Sequence, residues 1–307
     1  MRTHKTVPVE LLPMRLAEVL RPSERRSLHP PSLTPAERAV TPAERAITTA
    51  ERINRAPGET TTMTTLDLTV RRADGSTRDV TVPIRRIANC GMATRNPDPD
   101  RIDRMFEELA TIGVTRPETL PMVVPKPPHL LTTDSEIVVN AATTGGELEF
   151  VLLPTADRTY VGVGVDHKDD HVMDRNLHRA NSTCPSVIAD EVWRLEDVRD
   201  RWDDLEISCW TGRGDDRELY QRATLDAFLR PDALLEAIDA KTTAPLAGTA
   251  VWSGTVSTDA DGDVDARPDV TYGDFYAMQL YDPAANRRIA HQYDVSLNDW
   301  VDDCELP

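Results

Sequence analysis

Two apolar runs that carry carboxylates constrain this fold more than any other feature of the sequence. Residues 146–153 and 161–167 are rich in valine and leucine, and both runs predict buried β-strands. Glu147 and Glu149 are two positions apart, so a strand points both to the same face. Neighbouring carboxylates repel each other and lose hydration, so a fold keeps them together only where water, a proton or a cation neutralises them.

A divalent cation is one such neutralising partner. Asp166, in the second run, would supply a third oxygen ligand. An all-oxygen set with open coordination positions suits Mg²⁺, Mn²⁺ or Ca²⁺ better than zinc. The same spacing also occurs on a solvated strand face that continues into the core through residues 150–153. The spacing alone leaves both interpretations open.

The charge balance limits the class of partner. The 307 residues include 52 acidic and 35 basic side chains, for a formal net charge of −17. Nucleic acid and anionic membranes repel so acidic a chain, so we expect neither as a partner and expect a small or a cationic one. No apolar span of about 18 residues and no signal-peptide pattern occurs, which predicts a cytoplasmic protein. The four cysteines form no CxxC pair, which favours free thiols.

The basic residues are also unusual in kind. Only Lys5, Lys126, Lys168 and Lys241 are lysines, the rest are arginines, and aspartates outnumber glutamates. Dense short carboxylates hold water and keep a protein soluble where salt screens its self-repulsion. This composition predicts a halophilic host.

The first part of the chain is unlike the rest. Residues 34–54 repeat with period seven, but prolines recur at one heptad position and the apolar residues are too few for a coiled-coil seam. We expect residues 1–62 to be a disordered low-complexity extension. Met63 is an alternative start, in which case this extension is not native.

From Met63 onward the sequence has the pattern of a folded protein, with a smaller part at 63–144 and a catalytic-type part at 145–307. Residues 66–70 and 79–84 alternate with period two around an Asp-Gly pair, which predicts a β-hairpin. Asp98-Pro99 begins a predicted helix whose apolar residues recur at helical spacing until Gly113.

Periodicity and turn residues predict the other elements. Strands are predicted at residues 135–140, 206–211, 249–255, 275–281 and 288–295, helices at 186–195, 196–205 and 231–239, and a mixture at 220–229. The proline-rich residues 117–128 are expected to run extended over the surface, and Gly145-Gly146 to form a turn. Residues 259–265 form a predicted acidic loop, interpreted as a solvated insertion because Val270 replaces the glutamate of a calcium loop. The predicted class is α+β and rich in strands.

Several segments resemble known proteins. Residues 161–169, Cys184-Pro185, residues 192–195 and residues 201–205 resemble an uncharacterised prokaryotic family of unknown function, which is similar to the fumarylacetoacetate hydrolase superfamily. The likeness to the hydrolases lies in Glu147-x-Glu149, Asp166, residues 218–221 and Gly254-Thr255, in the same order. The resemblance implies a strand-rich fumarylacetoacetate-hydrolase-like fold, a mixed β-roll or sandwich with peripheral helices.

The resemblance also implies a chemistry. Such relatives bind Mg²⁺ or Mn²⁺ and act on oxo-acids or diketo-acids by C–C hydrolysis, decarboxylation or tautomerisation, through a metal-stabilised enolate. The implied metal ligands are Glu147, Glu149 and Asp166, the implied substrate-binding residues are Gln221, Gly254 and Thr255, and the candidate catalytic residues are His167 and Lys168. His167 would activate water or shuttle a proton, because imidazole titrates near neutral pH. The relatives pair, so a homodimer is expected.

Two alternatives stay open, and a departure from the hydrolases favours the first of them. The hydrolases have a lysine shortly after their aspartate motif, whereas residues 179–185 contain none, so Lys168 or Arg179 would have to replace it. The first alternative is a catalytically silent small-molecule-binding protein on the same scaffold. The second is a nucleophilic Cys184, with His167, His171 or His178 as its base.

The halophilic composition predicts a salt dependence of stability. Raising KCl from about 0.1 M to about 1 M, which shortens the Debye length from about 10 Å to about 3 Å, should raise the thermal unfolding midpoint. Thermal scans of the purified protein at several KCl concentrations measure this. A midpoint that stays flat or falls with added salt contradicts the hypothesis.

Overall fold

The computed structural model describes residues 63–173, 175–214, 216–255 and 272–298. The predicted extension at 1–62 and the predicted acidic loop at 259–265 lie outside these residues.

A long hairpin forms the centre of the fold. β7 (Thr144–Pro154) and β8 (Thr159–Asp169) pair antiparallel along their whole length. Both strands are almost entirely buried, as their apolar runs predict. The expected turn at Gly145-Gly146 is wrong, because both glycines lie inside β7. A Cβ at Gly146 would collide with Val165 and His167, so close packing rather than a turn requires that glycine.

This hairpin belongs to a ten-stranded sheet. The other members are β1 (Thr64–Arg71), β2 (Thr77–Ile84), β3 (Arg86–Gly91), β4 (Met122–Lys126), β5 (Leu131–Thr132), β9 (Ser186–Ile188), β10 (Glu191–Arg194) and β13 (Thr249–Trp252). The main path runs β2-β1-β10-β8-β7-β13-β3-β4, while β9 pairs with β8 and β5 pairs with β9. Parallel and antiparallel pairs are mixed in it.

A second sheet has five strands in the described residues. They are β6 (Glu136–Val139), β11 (Glu206–Arg213), β12 (Asp216–Thr224), β14 (Phe275–Asp282) and β15 (Arg287–Leu297), in the order β12-β11-β14-β15-β6. The helices are short: α1 (Pro99–Ala110), α2 (Asp170–Met173), α3 (Leu177–Ser182) and α4 (Pro231–Asp239). None of the helices in the described part of the chain has the length and apolarity needed to cross a bilayer. The predicted α+β, strand-rich class is confirmed.

Two apolar clusters cover the two faces of the large sheet. The larger cluster joins β7 and β8 to the second sheet, and within it Phe150 packs edge-on against Trp202 and Phe228. The smaller cluster covers the opposite face and includes Val151 and Trp252. Because β7 is buried on both faces, its sequence is a continuous apolar run rather than an alternating one.

Locally encoded elements agree with the sequence. β1 and β2 form the predicted hairpin, with Leu66 opposite Val82. α1 begins after Asp98, whose side chain accepts a hydrogen bond from the backbone N–H of Asp100, and Pro99 is its first residue. The predicted strands at 135–140, 206–211, 249–255, 275–281 and 288–295 and the helix at 231–239 are also present, with shifts of a few residues at their ends.

The helix expected at 186–195 is wrong, and the one expected at 196–205 is present only as short 3₁₀ helices. The first segment forms β9 and β10, which both pair with β8, and the second forms short 3₁₀ turns at Leu195–Asp197 and Arg199–Asp204. A short apolar run buried on all sides has no clear period, so pairing with a neighbouring strand decides its structure.

The segment expected to run over the surface is also different. β4 lies within residues 117–128 and pairs antiparallel with β3, with Lys126 opposite Ile87. The segment is extended, as its prolines predict, but Val124 and Lys126 are buried.

The large sheet is strongly curled. β4 and β8 are four strands apart in the sheet, which is about 19 Å in a flat sheet. Lys126 Nζ on β4 nevertheless lies 2.8 Å from Asp166 Oδ1 on β8. The sheet must therefore bend so that the face carrying these side chains is concave.

The close packing at Gly164 gives a test of this arrangement. A Cβ there would lie 2.5 Å from Trp252 and 2.8 Å from the carbonyl oxygen of Val187, so Gly164→Ala should lower the free energy of unfolding by about 1–3 kcal/mol. Gly162→Ala in the same strand is the control, because its Cβ would meet only side-chain carbons at 3.3 Å or more. Urea unfolding measures both variants, and equal losses contradict the packing described.

Candidate functional site

The structure brings the three predicted metal-binding carboxylates to one face. Glu147 on β7 lies directly opposite Asp166 on β8, and Glu149 lies opposite Gly164. Directly opposed residues of antiparallel strands share a face, and so do residues two apart. Ser186 on β9 is opposite Asp166 and therefore shares the same face.

Asp166 is the most heavily contacted of the three carboxylates. Its Oδ1 accepts hydrogen bonds from Lys126 Nζ, at 2.8 Å, and from Ser186 Oγ. Its Oδ2 accepts one from Asn89 Nδ2. Both oxygens are thus occupied, and the carboxyl side chain is only 3 % exposed.

Asn89 and Lys126 were missed by the sequence reasoning. Asn89 comes from β3 and Lys126 from β4. The side chain of Lys126 is fully buried and also donates to the carbonyl oxygen of His167 at 3.2 Å. A lone lysine between prolines gives no local sign of burial, so only the curl of the sheet identifies it. The Oδ1 of Asn89 is buried with no hydrogen-bond partner among the described residues, so it can accept a hydrogen bond from a ligand.

Lys168, predicted as catalytic, lies beside Glu147. Its ammonium forms an ion pair with Glu147 Oε1. Burial by itself lowers the pKa of Lys168, but the ion pair with Glu147 and the charges of Asp170 and Asp166 together raise it above the usual value. Lys168 is therefore a fixed cation on the carboxylate face.

Glu149 is the deepest carboxyl of the group, with 2 % of its surface exposed. Its Oε2 accepts a hydrogen bond from the backbone N–H of Gly254 at 2.7 Å. Burial, together with the charges of Asp166 and Glu147, raises the pKa of Glu149 well above its usual range. This carboxyl holds a proton at a pH at which a solvated glutamate is ionised.

Of the three predicted substrate-binding residues, Gly254 contacts this carboxyl, while Gln221 and Thr255 are hydrogen-bonded to each other. Gly254 has a φ of 76°, and a Cβ there would lie 2.5 Å from the carbonyl oxygen of Cys90, so only glycine can place its N–H at Glu149. Gln221 donates from Nε2 to Thr255 Oγ1 at 2.8 Å and accepts from the backbone N–H of Leu148 at 2.7 Å. Their role in binding substrate stays a prediction.

His167 does not join the carboxylates. Adjacent strand residues point to opposite faces, so its ring lies on the side of β8 away from Asp166, packed edge-on against Tyr276 and Tyr293. Its Nε2 lies 2.6 Å from the hydroxyl of Tyr293. Burial lowers the pKa of His167 to about 3, so the ring is neutral at physiological pH. This placement does not agree with a proton-shuttling role at the carboxylates.

Cys184 has the environment of an inert thiol. Its Sγ lies near the hydroxyls of Thr144, at 4.0 Å, and Thr183, at 3.6 Å. Burial raises its pKa, so it is not a thiolate near neutral pH. The alternative of a cysteine nucleophile finds no support here.

The carboxylates offer the oxygen ligands that Mg²⁺ and Mn²⁺ prefer, but their arrangement does not fit a resident divalent ion. Glu147 and Asp166 each contact an ammonium group, and both oxygens of Asp166 already accept hydrogen bonds. Within the described ranges, no group of three or more His, Cys, Asp or Glu side chains is arranged so that it could hold a metal ion. Binding of Mg²⁺ or Mn²⁺ stays a prediction.

Comparisons with known proteins agree with the resemblance found in the sequence. Residues 91–293 match the family described as "Protein of unknown function (DUF2848)". No curated protein matches the chain. A yeast fumarylacetoacetate hydrolase family protein is similar in structure, with 11% sequence identity over 70% of this chain and 94% of that chain and a TM-score of 0.48. The apo form of a 2-keto-3-deoxy-D-arabinonate dehydratase has 10% identity over 69% and 73% of the two chains, with a TM-score of 0.49.

The buried neutral His167 predicts a pH dependence of stability. The unfolded chain binds a proton at this ring below about pH 6.5, whereas the folded chain does not until about pH 3. Stability therefore falls as the pH falls through this window, by at most about 1.4 kcal/mol per pH unit from this residue. His167→Gln should show a shallower loss in denaturant unfolding between pH 6.5 and 4.

Tyr293→Phe is the control for this experiment. It removes the hydrogen bond to His167 but leaves the titrating ring, so it should lower stability while keeping the wild-type slope. A wild-type slope in His167→Gln contradicts the prediction.

Proposed function

We propose that this chain, which belongs to the DUF2848 family of proteins described as of unknown function, is an enzyme acting on a small oxo-acid or diketo-acid. The observation that carries this proposal is the gathering of five ionisable side chains on one concave sheet face. They are Glu147, Glu149, Asp166, Lys126 and Lys168. Burying charges costs stability, and such clusters are typical of functional sites.

Glu149 is the proton-transfer group in this proposal. The N–H of Gly254 fixes its Oε2, so the proton is carried by Oε1. The ionised form accepts a proton from the carbon next to the substrate carbonyl, and the protonated form returns one to the enolate. A pKa raised by burial suits a group that must both accept and donate.

The two ammonium groups supply the positive charge that such a substrate needs. The ammonium groups of Lys126 and Lys168 are fixed cations beside the carboxylates. Cations in a site of low dielectric stabilise the carboxylate of an oxo-acid and the negative oxygen of its enolate. Tautomerisation, decarboxylation and C–C hydrolysis all develop an enolate of this kind.

A small-molecule-binding protein without catalysis is the second candidate. The absence of a lysine in residues 179–185 favours it. It differs from the enzyme in one measurable respect, because it binds the same acids without converting them.

Turnover assays test the proposed function directly. Short oxo-acids and diketo-acids are screened with the full chain, in Mn²⁺ and separately in EDTA. For any acid converted, Glu149→Gln should lower kcat by roughly 100-fold or more, because it removes the proton-transfer group while keeping an acceptor for Gly254.

Glu206→Gln is the matched control. Glu206 lies on β11 and pairs with Arg222, so this variant should keep wild-type kcat. Saturable binding without turnover supports the binding protein. If the protein neither binds nor converts any of the acids, both candidates are contradicted.

A further inference from the structure

We propose that Lys126 and Lys168 are built-in counter-cations of the site carboxylates, so that the site functions without a resident divalent ion. This inference deepens the proposed function and rests on it for the class of ligand. Its own basis is the set of contacts that the two lysines make.

The contacts at Asp166 occupy three of the roughly four lone-pair sites of its carboxylate. Lys126 and Ser186 donate to Oδ1, and Asn89 donates to Oδ2. The orientation of Asn89 follows from chemistry, because an ionised carboxylate only accepts and the amide must therefore present its NH₂ group. An ion binding to Asp166 would have to share Oδ2 with Asn89 or displace a donor from Oδ1, beside the ammonium of Lys126 in either case.

The contact at Glu147 repeats the pattern. Lys168 lies two residues after Asp166 on β8, on the same face, and pairs with Glu147 on the neighbouring strand. Each of these two carboxylates therefore has its own ammonium. A divalent ion between Glu147 and Asp166 would meet the two positive charges of the lysines as well as the two negative charges of the carboxylates.

The choice of lysine supports a specific role for both residues. The chain has only four lysines among its 35 basic residues, and two of them are at this site. An ammonium is a compact point charge with three donors, whereas a guanidinium is a broad planar fork. Lys126, fully buried and donating to both Asp166 and the carbonyl oxygen of His167, occupies a position that suits the smaller group.

Calorimetric titration of Mn²⁺ into the chelator-treated full chain tests the inference. The wild type should show no saturable binding tighter than about 1 mM. Lys126→Met removes the charge with little change in size, and its affinity for Mn²⁺ should rise roughly tenfold or more, because one nearby charge shifts an ionic equilibrium by about one to three powers of ten. Lys168→Met should act in the same direction.

Lys241→Met is the matched control, because the ammonium of Lys241 is exposed and bonded to Thr119. It should titrate like the wild type. Thermal stability provides a second readout: Mn²⁺ should raise the unfolding midpoint of Lys126→Met but not of the wild type or the control.

Two results overturn the inference. One is saturable micromolar Mn²⁺ binding by the wild type that Glu149→Gln abolishes. The other is a Lys126→Met protein whose Mn²⁺ affinity equals that of the wild type. If Lys126→Met does not fold, the wild-type titration and Lys168→Met decide.

Activity separates this inference from the proposed function. Turnover of an oxo-acid in EDTA supports both. Turnover that requires Mn²⁺ supports the function and overturns the inference. If no acid is bound or converted in either condition, the proposed function is contradicted. Calorimetry still decides the inference in that case.

Discussion

The buried ion pair between Lys126 and Asp166 joins the edge of the large sheet to its centre. Lys126 belongs to β4 and Asp166 to β8, four strands apart in the sheet, and their contact exists only because the sheet curls. Breaking such a pair by removing one partner typically costs about 3–5 kcal/mol, since the remaining charge stays buried. The curl, the concave face and the neutralised carboxylates therefore depend on one another.

Strand periodicity explains which part of the site the sequence could predict. Glu147 and Glu149 share a face because they are two apart, and Asp166 joins them because β7 and β8 form one hairpin. The same rule places His167, the neighbour of Asp166, on the opposite face, so a strand at 161–167 already argues against their acting together. Strand alternation in the sequence therefore already separates His167 from the carboxylates.

The rest of the site depends on contacts between residues far apart in the chain. Lys126 reaches Asp166 across 40 positions, and Asn89 reaches it across 77. No local pattern reports on such pairs. The same limit explains the wrong helix at 186–195, where pairing with β8 decided the structure, whereas α1 has its own N-cap at Asp98 and was predicted correctly.

One face of the central hairpin changes character along its length, and this change explains the chemistry of Glu149. Toward one end the face carries Glu147, Asp166 and Lys168, and toward the other it carries Val151 and the apolar cluster. The ring of Trp252 lies over Gly164, directly opposite Glu149, and closes the boundary between the two ends. An apolar wall beside a carboxyl removes water from it, and loss of water favours the protonated form. The glycine that admits the tryptophan thus helps to set the protonation of the residue across from it.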